Sequence, residues 1–312
     1  MNAELRNRFA VVANASSGAA SLLGEASLNG MVEDALGLNL HSCEIAEPEF
    51  IEMAIERAFS SSADVIVIIG GDGTCRTAAK FGRRTNKPIA FMPGGTMNLL
   101  PARHWHGLDL AGSLKALGDG TYVVSEISIG QISDEIFLIA AAFGAAPTLA
   151  RLREAHRSSL SFIESIQNLL KVPKIMPHLM RPSVRLEAKG APRQRLSALA
   201  IVIGNADLAL GRTGINVEER MFECVAAEVS SPWSFLSVMA RAFFDPNWRE
   251  DEKITTTAIK SGKVFSKSRA IAMTLDGEVV RMASPAHLQL LVNGLRVIVH
   301  APYIVAEQAP AS

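Results

Sequence analysis

Five consecutive residues, Gly70-Gly71-Asp72-Gly73-Thr74, follow the apolar run Asp64–Ile69 and precede a helical pattern that reaches about Arg84. Glycines permit positive φ and close backbone approach. A strand-to-helix turn offers backbone N–H groups at a helix N-terminus, which is an anion site, and a phosphate fits it. Asp72 would repel a phosphate unless a Mg²⁺ or a transferring proton is managed beside it. The plain structural alternative is a tight turn in which Asp72 caps the helix. Two further polar, glycine-containing turns end apolar runs: Asn14-Ala15-Ser16-Ser17-Gly18 after Phe9–Asn14, and Pro93-Gly94-Gly95-Thr96-Met97-Asn98 after Lys87–Met92. Far downstream stands Asp276-Gly277-Glu278. On a strand its two carboxylates would point the same way and could share a metal or a hydroxyl. Asp-Gly is also a common hairpin turn.

The elements that must position these residues come in two textures. The first 125 or so residues alternate short apolar runs with helical patterns, as βαβ units on a parallel sheet do. Strands are expected at Phe9–Asn14, Leu40–Ile45, Asp64–Ile69 and Lys87–Met92, with helices at about Ala19–Leu36 and Pro48–Phe59. Ligands bind at the carboxyl ends of the strands of an open parallel sheet, and the three polar turns would lie side by side there. After about Tyr122 short strand-like runs take over: Val123–Ile132, Ile136–Phe143, Ser183–Ala188, Ser197–Gly204, Ala270–Leu275, Ala286–Leu291 and Leu295–His300. Helices are expected at about Pro147–Lys171 and Pro232–Phe244. Such a series predicts a mainly antiparallel β domain.

Composition narrows the classes. The chain has 312 residues, 48% hydrophobic and 20% charged, which is globular and large enough for two domains. Basic and acidic residues balance at 31 each, against a nucleic-acid binder that works by bulk charge. The first 125 residues hold 10 basic and 13 acidic side chains, leaving the remainder net +3, a sign that suits anionic lipid headgroups. Cys43, Cys75 and Cys224 form no CxxC pair, so neither a zinc site nor a disulfide framework is expected, and reduced cytosolic thiols are. No apolar run reaches the roughly 18 residues of a spanning helix, and the N-terminus reads as a first strand, not a signal peptide.

The Walker pattern is absent, since Gly262-Lys263 is followed by Val264, and so are the protein-kinase motifs, so a nucleotide kinase would need a different phosphate loop. The motifs present resemble those of the diacylglycerol kinase catalytic-domain family, which includes bacterial lipid kinases, sphingosine kinases and ceramide kinases. Asn14-Ala15-Ser16-Ser17-Gly18 resembles the family's N-P-x-S-G, and Gly70–Thr74 matches its GGDGT. Pro93–Asn98 followed by Ala102-Arg103 resembles P-x-G-T-x-N…A-R, and Asp276-Gly277-Glu278 matches the late D-G-E. GGDGT alone is shared with NAD kinases and phosphofructokinases.

The resemblance implies an α/β N-terminal domain with a parallel Rossmann-like sheet, residues 1–125 plus about 301–312, and a mainly antiparallel β-sandwich, residues 126–300, with a lipid entering between them. It implies ATP and Mg²⁺ as cofactors. Asn14, Ser16, Ser17, Gly18, Gly70, Gly71, Asp72, Gly73, Thr74, Gly95, Thr96 and Asn98 would bind nucleotide. Asp72 and Asp276 would act near the metal, and Glu278 would be the general base with Asp276 beside it. The partner would be a membrane lipid, visited by a cytoplasmic, peripherally associated enzyme that could pair as a homodimer; no nucleic acid is expected. The sequence departs from the family at Ala15, in place of its proline, at Pro101, and near Glu218–Phe222, where an Asp-Gly pair of an accessory Mg²⁺ site in some members is missing.

Fainter features have plain readings too. The aromatic stretch Pro232–Trp248 could lie at a membrane interface or pack in the core. Lys260, Lys263, Lys267 and Arg269 could meet headgroups or simply be solvated. His104 and His106 flank Trp105 and read as a helix-end pair without metal. Two rival functions remain open: a kinase of a soluble acceptor such as NAD, for which Gly204-Asn205-Ala206-Asp207 is a poor ribose motif, and a non-catalytic nucleotide sensor.

Overall fold

The computed structural model describes residues 8–95, 98–144, 184–189, 196–206, 220–227, 237–238, 241, 244–245 and 247–301. In chain order these form β1 (Phe9–Asn14), α1 (Gly18–Leu23), α2 (Glu25–Leu36), β2 (Leu40–Ala46), α3 (Ile51–Ser60), β3 (Val65–Gly70), α4 (Asp72–Thr85), β4 (Ile89–Pro93), α5 (Leu99–His104) and α6 (Leu110–Gly118). There follow β5 (Tyr122–Ile132), β6 (Glu135–Phe137), β7 (Ala140–Gly144), β8 (Val184–Glu187), β9 (Ala198–Ile203), β10 (Phe222–Ala227), β11 (Ile254–Ile259), β12 (Ser261–Ser266), β13 (Ala270–Leu275), β14 (Glu278–Ala283) and β15 (Ala286–His300). The chain divides into two compact units, one of residues 1–128 and 293–312, the other of residues 129–292.

The first unit is built on parallel strands in the order β2-β1-β3-β4, with the second half of β15 beside β4 in parallel, Val297 opposite Ile89. β3 is buried along its whole length, as a central parallel strand covered on both faces must be. On one face Phe9, Val11, Val65, Val67 and Ile69 pack against Leu28 and Val32 of α2 and Leu114 and Leu117 of α6. α3 packs on β1, and α4 on β3 and β4. The helix expected over Ala19–Leu36 is two helices. Gly24 stands between them at φ 76°, a left-handed conformation that ends α1 and starts α2.

The second unit carries a six-stranded antiparallel sheet in the order β11-β10-β9-β7-β13-β14. The first half of β15 pairs with β12, and β12 with β8, both antiparallel. Side chains from both sets of strands meet in one core: Phe137, Leu186, Val264 and Leu288 with Phe143, Ile201, Phe222 and Met273. The expected β-sandwich is present, within an α/β plus antiparallel-β architecture. Two strands differ from expectation. Ile136–Phe143 is two strands, β6 and β7. The runs 286–291 and 295–300 are one strand, β15, which carries Asn293 at φ 53° within it. The expected helix at Pro147–Lys171, most of that at Pro232–Phe244, and residues 302–312 lie outside the described residues.

Candidate functional site

The turns after β1, β3 and β4 are stitched to one another at the carboxyl edge of the parallel sheet. Asn14 ends β1, and its side-chain oxygen accepts from Ser16 N (2.9 Å) while its amide nitrogen donates to Thr74 Oγ1 (3.1 Å). Gly94 O accepts from Ala19 N at 3.2 Å. Asn98 Oδ1 accepts from Gly95 N at 2.7 Å and so folds the turn after β4 back on itself. Asn98 caps α5 in the left-handed conformation at φ 47°, which asparagine tolerates better than most side chains. Pro101 sits in the first turn of that helix, where a missing N–H costs no intrahelical bond.

The glycines of these turns act through proximity, not through positive φ. None of Gly70, Gly71, Gly73, Gly94 or Gly95 has a left-handed backbone, contrary to one sequence-based rationale. A Cβ on Gly94 would stand 2.7 Å from Gly70 N, and one on Gly95 would stand 2.9 Å from Gly71 Cα. The two turns therefore touch backbone to backbone. A Cβ on Gly71 would meet nothing within 4 Å, so the surface beside the start of α4 is open.

Gly71 is the N-cap of α4 and supplies no side-chain cap, so the amides of the first turn are oriented by the backbone alone. Asp72 opens the helix, half-buried, where the helix dipole favours a carboxylate. Thr74 is buried, with its side chain packed over Gly70. Ser17, expected to contact nucleotide, is buried and its hydroxyl accepts from Ala20 N (3.2 Å) as the N-cap of α1. Ser16 is exposed beside it. Thr96 lies outside the described residues.

Asp276-Gly277-Glu278 belongs to the second unit and is the hairpin connection between β13 and β14. Asp276 (φ 48°) and Gly277 (φ 89°) are both left-handed, as a two-residue type I′ turn requires. Glu278 is exposed and pairs with Leu275 to close the hairpin. The Asp276 carboxylate accepts from Leu138 N (2.7 Å), Ile139 N (2.8 Å) and Ala140 N (3.0 Å).

Gly204-Asn205-Ala206 follows β9 in the same unit. Arg249 holds this turn: it donates to both oxygens of Glu223 (2.8 and 3.0 Å) and to Asn205 Oδ1 (2.8 Å), and Glu223 Oε2 also accepts from Ala206 N. The guanidinium lies 4.4 Å from the centroid of the buried Trp248 ring, so that tryptophan serves packing and not a membrane interface. Asp207 lies outside the described residues. His104 is buried against Phe91 with neither ring nitrogen hydrogen-bonded among the described residues. Burial, and secondarily Arg103, push its pKa down to about 3. Among the described residues no three His, Cys, Asp or Glu side chains gather as a metal site. Burial raises the Cys43 thiol to about 11 and the Cys224 thiol to about 12, which disfavours the thiolate at both.

Residues 8–131 match the family model of the diacylglycerol kinase catalytic domain. The resemblance drawn from the motifs is thus found over the first three of them; Asp276-Gly277-Glu278 lies beyond the matched segment. Three solved structures from Bacillus anthracis str. Sterne share the fold. Two are of a candidate diacylglycerol kinase, with TM-scores of 0.67 and 0.70 at 14% identity, covering 96% and 95% of this chain and 98% of the other. The third, of a diacylglycerol kinase, has a TM-score of 0.64 at 13% identity over 95% of this chain and 98% of that one. At such identity the likeness is one of fold.

Sequence reasoning missed the three amides around Asp276 and the Arg249 clamp. No local signal marks either, because the partners are distant in the chain.

Proposed function

We propose that this protein is an ATP- and Mg²⁺-dependent kinase that transfers the γ-phosphate to a hydroxyl group of a membrane lipid. The observation that carries the reading is the joining of the three polar turns at one sheet edge, Asn14 to Thr74 and Gly94 to Ala19, within a segment matched to a kinase catalytic domain. The residues fit the nucleotide. The open side of Gly71, the first-turn amides of α4 and the Asn14 and Thr74 side chains are suited to phosphate oxygens. Asn98 fixes the neighbouring turn through Gly95 N.

Asp72 is the carboxylate that would hold Mg²⁺ there, and the ion would supply charge neutralisation for the transferring phosphoryl group. Glu278 is the general base that takes the proton of the acceptor hydroxyl as its oxygen attacks the γ-phosphorus, and the bond from that phosphorus to the bridging oxygen breaks to release ADP. Among the described residues no helix is long and apolar enough to cross a membrane, so the lipid would be met at a surface. The exposed Lys260, Lys263, Lys267 and Arg269 suit anionic headgroups there.

The test is transfer of labelled γ-phosphate to diacylglycerol, sphingosine, ceramide and phosphatidylglycerol in mixed micelles, with NAD as a soluble acceptor. Label in one lipid is expected. Glu278→Gln should lower kcat by about 10²–10⁴ while ATP affinity by calorimetry stays unchanged. Label in NAD alone would replace the lipid reading with a soluble acceptor. ATP binding with no transfer to any acceptor would leave a nucleotide sensor.

A further inference from the structure

The carboxylate of Asp276 accepts from three backbone amides. These successive amides, those of Leu138, Ile139 and Ala140, point into its two oxygens at 2.7–3.0 Å. The reverse bond, Asp276 N to Ala140 O at 2.9 Å, closes the ring. Donors arranged in this way stabilise a carboxylate that stays ionised and stays in place. The segment they come from, between β6 and β7, is itself tied onward, since Ile203 N at the end of β9 donates to Ile139 O at 3.0 Å. Asp276 therefore fastens the tip of the β13–β14 hairpin to the neighbouring strand β7 and, through Ile139, to β9.

Glu278 follows that turn. It begins β14, which among the described residues pairs with β13 alone, at the edge of the six-stranded sheet. Glu278 stands opposite Leu275, as Val280 stands opposite Met273 and Met282 opposite Ile271. Directly opposed residues of an antiparallel pair share a face, so Glu278 rises at the exposed rim of the face whose interior is Leu275, Met273 and Ile271. Asp276, two residues before it, is bound at four points.

We propose that Asp276 is a positioning residue, neither metal ligand nor acid–base group, whose bonds to the 138–140 amides hold the hairpin that aims Glu278 at the acceptor hydroxyl. This rests on the reading of Glu278 as the base. Asn is the informative substitution because it accepts the left-handed backbone that Asp276 occupies. It keeps one carbonyl oxygen and sets an NH₂ group against a backbone N–H.

Asp276→Asn and Glu278→Gln are measured beside the unsubstituted chain by γ-phosphate transfer to the lipid panel above, at a temperature well below each melting midpoint. For Asp276→Asn the expected result is a fall in kcat of about 10–100-fold, since a misplacement of about 1 Å costs up to that much. Its KM for ATP and its half-saturating Mg²⁺ should stay within twofold. A tenfold rise in half-saturating Mg²⁺ would make Asp276 a metal ligand and overturn the proposal. An unchanged kcat with a lowered melting midpoint would overturn it by leaving Asp276 a structural anchor alone. If Glu278→Gln keeps full activity, or the unsubstituted chain labels no acceptor, the reading beneath the proposal fails, and the proposal with it.

Discussion

Replacing Gly94 and Gly71 separately by alanine should split two properties that usually fail together. At Gly94 the added methyl carbon would lie 2.7 Å from Gly70 N and 3.1 Å from both the carbonyl carbon and Cγ2 of Ile69. Ordinary contact is about 3.5–4 Å, so the β4 turn must retreat from β3 by about 0.8 Å. The obstructing atoms are mostly backbone of a buried central strand and have no rotamer to adopt. Overpacking of this kind costs about 1–3 kcal/mol, and in a body of 150–250 residues 2 kcal/mol lowers the melting midpoint by about 4–8 °C. The same retreat would part the two turns proposed to hold phosphate. At Gly71 the methyl meets nothing within 4 Å, and φ −81° with ψ 178° suits any residue. Gly71→Ala should melt within about 1 °C of the parent, yet it would project a methyl group over the first-turn amides of α4. A loss of ATP affinity of about tenfold or more, worth 1.4 kcal/mol, is expected from both variants, and a lowered midpoint from Gly94→Ala only. Differential scanning calorimetry and titration calorimetry with ATP read the two quantities. Gly94→Ala melting like the parent would refute the contact argument. Undiminished ATP affinity in Gly71→Ala would refute the placement of phosphate at the start of α4.

Three more outcomes are expected. Asn14→Ala removes the side-chain bond to Thr74 and should weaken ATP binding by about fivefold to tenfold, the worth of one hydrogen bond, read by the same calorimetry. His104 has its pKa lowered from 6.5 to about 3, so the unfolded chain binds the proton and the folded chain does not throughout that window. Its contribution is fully present above pH 6.5 and declines as pH falls toward 3, by about 2 kcal/mol at pH 5; His104→Leu should flatten urea-derived stability between pH 7 and 5. Arg249→Ala leaves the half-buried Glu223 carboxylate without its guanidinium and should lower stability by about 2 kcal/mol, less than for a fully buried pair because Arg249 is 30% exposed; a midpoint shift below 1 °C would count against the clamp.

What could be read from the sequence was what is local. β1, β3 and β4 announce themselves as apolar runs because a parallel strand covered by helices has no polar face. The three polar turns were legible because each is a contiguous motif at a strand end. Gly24 did not look like a helix break, since one glycine inside a periodic pattern is often tolerated. The runs Ala286–Leu291 and Leu295–His300 read as two strands and are one, whose two halves find different neighbours, β12 for the first and β4 for the second. β14 passed unnoticed because an edge strand with exposed Glu278, Arg281 and Ala283 has little apolar contrast. The role of Asp276 was out of reach for a simpler reason: its acceptor oxygens meet amides 136–138 residues earlier in the chain.

The strand beside β4 is made of residues about 200 positions later in the chain. A ribosome delivers β1 through β4 and their covering helices early, but the piece that flanks β4, from Asn293 to His300, is made only after the whole second unit has been synthesised. Until then β4, whose Ile89, Phe91 and Met92 are fully buried in the finished fold, presents an open edge, the kind of surface that other chains pair with. A fragment cut at residue 128 would keep every polar turn of the candidate nucleotide site and lack the strand that closes its sheet. Grafting 293–301 back through a short linker, in place of the second unit, is the rational way to obtain that half as a well-behaved protein.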